Sequence, residues 1–242
     1  MNTAYQRWLD TLIENADPAL PAAYKQDMRA EASRVWDAVL APRGLEARRV
    51  LIVGGAGYIG SPLTFALLEA GYDVTCLDHL LFANGQCVTA FIGHPRYRFV
   101  AGDLASANTV DAALEGVTDV VILAGLVGDP ITKAYPNESK LINDDGISNL
   151  IARLDGRGLN RVLFISTCSN YGEIPEGDVA DENYDLKPLS LYAKSKVAIE
   201  RQMLGLEDRA DFTGTILRFA TAFGLSPRMR FDLTVSEFTR EM

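Results

Sequence analysis

Three side chains carry reactive chemistry most directly. Tyr192 stands in the run Tyr192-Ala193-Lys194-Ser195-Lys196, and of nine tyrosines it alone has a lysine four residues on. On a helix that spacing puts phenol and ammonium on one face. A free tyrosine titrates near about 10 and is a poor base at neutral pH. A neighbouring ammonium favours the phenolate and brings it toward the working range. Thr167 lies in Ser166-Thr167-Cys168-Ser169-Asn170-Tyr171-Gly172, at the carboxyl end of an apolar run, where it can hydrogen-bond a substrate hydroxyl as its proton leaves. Such a set suits removal of a proton and a hydride from a carbinol.

A hydride needs an acceptor, and Arg49 to Ser61, RVLIVGGAGYIGS, reads as its seat. Val50, Leu51, Ile52 and Val53 are apolar without alternation, as in a strand buried on both faces of a parallel sheet. Gly54, Gly57 and Gly60 follow at G-x-x-G-x-x-G spacing, with Gly55 as a fourth glycine. This turn needs backbone freedom at its first glycine, an open approach for a pyrophosphate, and close helix-to-strand packing at its last. The helix that begins around Tyr58 and Ile59, with Leu63, Ala66, Leu67 and Ala70, aims its first N–H groups at the phosphates. Asp78 closes the next strand, at about the 20-residue distance where a carboxylate accepts ribose hydroxyls. It selects NAD over NADP, and His79, Leu80 and Leu81 offer no arginine to reverse that preference. The positive charge of a bound nicotinamide would favour the Tyr192 phenolate further, and Lys196 can also hold the nicotinamide ribose.

The 242 residues suffice for one α/β domain and an appendage. A charge of −9 disfavours nucleic acid or an anionic membrane as a general partner. The N-terminus lacks the pattern of an export signal, and no segment is long and apolar enough for a membrane span. Cys76, Cys87 and Cys168 share no metal-ligand spacing and read as reduced thiols of a cytoplasmic protein. His79 and His94 are the only histidines and lack companions for a hydrolytic triad or a zinc site, so no metal is expected.

Residues 1–48 read as a helical extension of two amphipathic helices. One carries Tyr5, Trp8, Leu9, Leu12 and Ile13. The other carries Tyr24, Met28, Val35, Trp36, Val39 and Leu40. From residue 49 to 225, strands and helices alternate as in a doubly wound parallel sheet. Strands are predicted at Tyr72–Leu77, Tyr97–Ala101, Asp119–Ala124, Val162–Ser166 and Thr215–Phe219. Helices are predicted around Val110–Leu114, Leu141–Leu154 and Leu191–Leu206. A dinucleotide would cross the carboxyl ends of the strands, over Ala124 and the loop Gly125 to Pro130. The carboxylates of the loop Ser169–Lys187 read as solvated surface. Residues 226–242 add one loop and one short helix.

The glycine turn, Asp78, the Gly102-Asp103-Leu104 triplet, the STCSNYG loop and YAKSK together resemble the extended short-chain dehydrogenase/reductases. The closer resemblance is to the NAD-dependent sugar-nucleotide epimerase/dehydratases, over about residues 49 to 235. It implies a Rossmann fold in which Gly54, Gly57 and Gly60 bind the pyrophosphate, Asp78 the adenosine ribose, and Asp103 and Leu104 the adenine. It makes Thr167, Tyr192 and Lys196 the catalytic set and Asn143 a structural or relay residue. Ser169 and Asn170, beside Thr167, are candidate substrate contacts. Arg228 and Arg230, in the segment that begins the sugar-nucleotide site, are candidate partners of a substrate diphosphate.

Departures from the pattern narrow the reaction. Val53 replaces a usual threonine, and Gly125 and Leu126 stand where alanines often appear. Relatives that dehydrate the sugar carry Asp-Glu after the catalytic threonine. Cys168-Ser169 stands there instead, which disfavours dehydration and, for want of a glutamate at position 169, decarboxylation. Only 22 residues follow Ala220, so the substrate domain is expected to be truncated or missing. The expectation is an epimerase that oxidises a nucleotide sugar transiently, as a homodimer paired through the Tyr192 helix. A dehydrogenase or ketoreductase using the same residues, and a non-catalytic NAD-binding module, are the alternatives.

Overall fold

The structure, a computed structural model, describes residues 48–206 and 210–241 together with 22–23, 25–27 and 29–30. All three short groups are helical, and 25–27 and 29–30 fall within the second of the expected N-terminal helices. The first helix and most of the second lie outside the described residues.

Six parallel strands form one sheet in the order β3-β2-β1-β4-β5-β6. They are β1 (Arg49–Val53), β2 (Asp73–Asp78), β3 (Tyr97–Ala101), β4 (Asp119–Ile122), β5 (Arg161–Thr167) and β6 (Thr213–Phe219). The helices are α1 (Gly60–Glu69), α2 (Gln86–Thr89), α3 (Ala107–Leu114), α4 (Asp129–Ala134), α5 (Pro136–Ser139), α6 (Ile147–Ile151), α7 (Leu191–Leu204) and α8 (Thr234–Glu241). The chain starts at the centre of the sheet, runs outward through β2 and β3, then returns beside β1 and runs the other way. That reversal opens a crevice between the carboxyl ends of β1 and β4, where ligands bind in such sheets.

Alternation along β1 explains why the run is apolar throughout. Leu51 and Val53 face one layer with Leu77, Ile122 and Phe164, covered by α3, α6 and α7 through Leu114, Leu150 and Ile199. Val50 and Ile52 face the other with Val74 and Val121, covered by α1 through Leu68. The buried face of α1 is Gly60, Ser61, Thr64 and Leu68, with Leu63 and Leu67 only partly buried. The predicted stripe is thus displaced, because the helix start lies so close to the glycine turn that only small residues fit underneath. A cap at Ser106, whose hydroxyl accepts the Thr109 N–H at 3.3 Å, begins α3 three residues before the predicted start.

The largest difference from expectation falls between β4 and β5. In place of one helix over Leu141–Leu154, the chain folds into α4, α5, a π-helical turn at Lys140–Gly146, and α6. Pro130 and Pro136 start the two short helices, and the π turn adds a residue that re-aims Asn143. The turn α2, in the loop after β2, was also not predicted.

Candidate cofactor and active site

A cleft of about 590 Å³ runs across the carboxyl ends of the strands. It is lined by Gly54, Gly57, Tyr58, Ile59 and Gly60, by Asp78, Asp103 and Leu104, and by Ala124 and Gly125. Thr167, Ser169, Tyr192, Lys196, Arg228 and Arg230 complete it. Residues spread over 177 positions thus share one cavity.

The glycine turn is shaped by close backbone approach. Gly54 has φ of +86°, and a Cβ there would lie 2.8 Å from the Ala124 nitrogen. At Gly60 a Cβ would meet the Gly54 carbonyl oxygen at 2.4 Å and the Gly55 Cα at 2.6 Å, so neither position admits a side chain. No side chain caps the start of α1 and no acidic residue sits in its first turn, which leaves its positive end open to an anion. Asp78 closes β2 and braces the turn. Its Oδ2 accepts the Ala56 N–H at 3.0 Å and its Oδ1 the Leu80 N–H at 2.8 Å. The donors and the carboxylate fit a pyrophosphate-linked dinucleotide with a free ribose diol.

At the other end, Thr167 closes β5, and its hydroxyl accepts the Ser169 N–H at 3.2 Å and lies 3.2 Å from the Ser169 hydroxyl. Tyr192 and Lys196 come from one face of α7, whose start is capped by Ser190. The Lys196 ammonium donates to the Ile165 carbonyl at 2.8 Å and stands 4.6 Å from the Phe164 ring centre and 5.8 Å from that of Tyr192. Burial lowers its pKa to about 8, opposed by the charge of Glu200.

That shift makes stability depend on pH. Between about pH 8 and the ordinary 10.5, the unfolded chain holds a proton at this lysine that the folded chain has released. Stability contributed here therefore rises with pH across the window, by about 1.4 kcal/mol per unit, and is flat on either side. Lys196→Met should remove that rise. Urea unfolding of both proteins at several pH values measures it, and parallel curves would refute the assignment.

Behind the lysine lies a group that sequence reasoning missed. Glu200, buried at 1% exposure one helical turn beyond Lys196, accepts hydrogen bonds from Arg218 (2.8, 3.1 and 3.2 Å) and from Asn170 Nδ2 (2.8 Å). Arg218 comes from β6 and also donates to the Tyr171 hydroxyl at 3.2 Å. Asn170, a candidate substrate contact by sequence, faces away from the cleft. It is fully buried, and its amide donates to Glu200 and to the Ser166 hydroxyl at 3.0 Å. It braces the wall on which Thr167 stands. The visible signal for Glu200 was a carboxylate continuing the Tyr192, Lys196 stripe at the next helical repeat.

Asn143 is also placed behind the lining. Its Oδ1 accepts the Leu126 N–H at 2.7 Å and its Nδ2 donates to the Leu126 carbonyl at 3.0 Å. The absence of a side chain at Gly125 lets this amide approach, since a Cβ there would lie 3.0 Å from Asn143 Oδ1. Asn84 was missed as well. It lines the cleft and donates to the Ala56 carbonyl at 2.6 Å, holding the glycine turn from the loop after β2.

With this geometry in view, the comparisons with known proteins assign the class. The chain belongs to the NAD dependent epimerase/dehydratase family, which it matches over residues 50–242. It is 30% identical over 178 residues to a UDP-glucose 4-epimerase of Corynebacterium glutamicum, covering 73% of this chain and 52% of that protein. Among solved structures, the Thermus thermophilus UDP-glucose 4-epimerase in complex with NAD superposes with a TM-score of 0.64 at 30% identity, covering 73% of this chain and 56% of that one. A UDP-glucuronic acid 4-epimerase of Bacillus cereus, in complex with UDP-glucuronic acid and NAD, gives 0.70 at 25% identity, covering 78% and 60%. The chain spans about half the length of the curated relatives it matches. Among the described residues no helix is long and apolar enough to cross a membrane.

Proposed function

We propose that this chain is the cofactor-holding and catalytic part of an NAD-dependent sugar-nucleotide epimerase. The observation that most supports this is the single cleft joining the Gly54–Gly60 turn and Asp78 to Thr167, Tyr192 and Lys196. The relatives named for 4-epimerisation of nucleotide sugars favour that substrate class.

The glycine turn and the start of α1 would hold the pyrophosphate, Asp78 the adenosine ribose, Asp103 and Leu104 the adenine, and Lys196 the nicotinamide ribose. Bound NAD supplies a hydride acceptor and donor at its nicotinamide. Thr167 orients the sugar hydroxyl, and Tyr192 as phenolate takes its proton and later returns it to the opposite configuration's alkoxide. The Lys196 ammonium stabilises that phenolate. Cys168 and Ser169 supply no carboxylate beside Thr167, which favours epimerisation over loss of water. Exposed Tyr135, Leu141 and Leu191 near α7 support a homodimer as the working unit.

The test is incubation of the purified protein with UDP-hexoses and NAD, followed by chromatography of the sugars and by near-ultraviolet absorbance. Interconversion of epimers without accumulating NADH is the expected result. NADH rising in step with a keto product would make the protein a dehydrogenase instead. Absence of any NAD binding would overturn the cofactor assignment itself.

A further inference from the structure

Arg228 and Arg230 stand two residues apart, yet their guanidinium groups are in different states. Arg230 is spent, donating to Asp232 Oδ1 at 3.2 Å, to Asp232 Oδ2 at 2.6 Å and to the Val127 carbonyl at 3.4 Å. Arg228 is not. Its Cζ lies 4.2 Å from the centre of the Phe82 ring, and among the described residues its guanidinium has neither an ion pair nor a hydrogen-bond acceptor. Its planar N–H donors are therefore uncommitted in the wall of the cleft. Burial and the neighbouring Arg230 charge both act against the charged form, while Asp78 supports it. A partly desolvated cation of this kind is relieved when an anionic acceptor arrives.

Its place in the cleft indicates which anion. Phe82 follows Asp78 by four residues, in the loop beyond β2, whereas Thr167 ends β5. Three inter-strand spacings separate β2 from β5, roughly 14 Å, so Arg228 is at the far end from the reacting groups. The placement is built rather than incidental. Leu80 and Ala83, with φ of 55° and 53°, flank Phe82 with left-handed backbone that non-glycine residues avoid. Bonds from Leu80 N to Asp78 and from Asn84 to Ala56 secure it. On the other side, the Tyr58 hydroxyl of the glycine turn donates to the Gly224 carbonyl at 2.7 Å, and the Arg228 N–H is bound by the Ser226 hydroxyl at 3.3 Å. The segment after β6 thus crosses over the adenosine end of the crevice.

We propose that Arg228, seated on Phe82, binds the adenosine half of the dinucleotide by donating to its phosphate, closing from above the site that Asp78 lines from below. A role on the substrate diphosphate, which the sequence suggested, would require that group to lie beside β2 rather than beside the reacting end. The inference rests on the reading of the cleft as an NAD site. Calorimetric titration of the nucleotide-stripped full chain with NAD, and separately with UDP, tests it. Arg228→Ala is expected to weaken NAD binding about tenfold or more and to leave UDP binding within about twofold. Arg228→Lys should recover only part of the loss, because an ammonium lacks the plane that stacks on Phe82. Phe82→Leu should move NAD binding in the same direction without removing a charge. Unchanged NAD affinity in Arg228→Ala, or a loss confined to UDP, overturns the proposal while the cofactor reading stands. Failure of the unaltered protein to bind NAD overturns both.

Discussion

Replacing Tyr192 with phenylalanine should lower turnover by about 10² to 10⁴-fold, the usual contribution of a positioned general acid–base group. NAD affinity should stay within about threefold. The change removes one hydroxyl from a ring that is 9% exposed and keeps the ring's packing on α7. The two readouts separate the competing functions. Catalysis by proton removal demands the phenol, whereas a protein that only holds the dinucleotide has no use for it. If single-turnover oxidation of a nucleotide sugar by bound NAD proceeds in the phenylalanine variant at more than about a tenth of the normal rate, Tyr192 is not the base and the mechanism above is wrong.

Arg218→Met should cost about 3–5 kcal/mol of stability, the usual consequence of stranding one half of a buried ion pair. Glu200, left at 1% exposure, would keep only the Asn170 amide as a close donor. A domain of this kind has about 5–15 kcal/mol in total, so the urea midpoint should fall substantially. The pairing with Glu200 also holds the Arg218 guanidinium above its ordinary pKa, so the single variant loses a mutually supporting pair rather than one contact. Adding Glu200→Gln in the same chain should restore much of the loss, because a neutral amide needs no counter-charge. Equal instability of the single and double variants would show that the arginine matters for packing alone.

Much of this architecture is legible in the chain itself. β1 could be read because four consecutive apolar residues are buried on both sides of a parallel sheet, and β3 because its predicted bounds match those observed. The glycines could be read because only an absent side chain permits contacts as close as those at Gly54 and Gly60. The region between β4 and β5 could not. Its apolar period suits a helix, but Pro130, Pro136 and a π turn divide it, and the turn is held by Asn143 pairing with Leu126, 17 residues away. For Asn170 and Arg228 the sequence offers only their neighbours in the chain, yet the first turns inward to Glu200 and the second toward Phe82.

The amino-acid sequence alone determined the class of the sheet, the dinucleotide signature and the Tyr192, Lys196 pairing, since each depends on residues within a few positions of one another or on a local backbone requirement. Tertiary structure decided which charges are satisfied and which are left open. Arg218 meets Glu200, 18 positions away, while Arg228 keeps its donors facing the cleft. Complementary charges far apart in the chain carry no mark of their partners, and only the packing of β6 and the segment after it against the rest of the fold selects them.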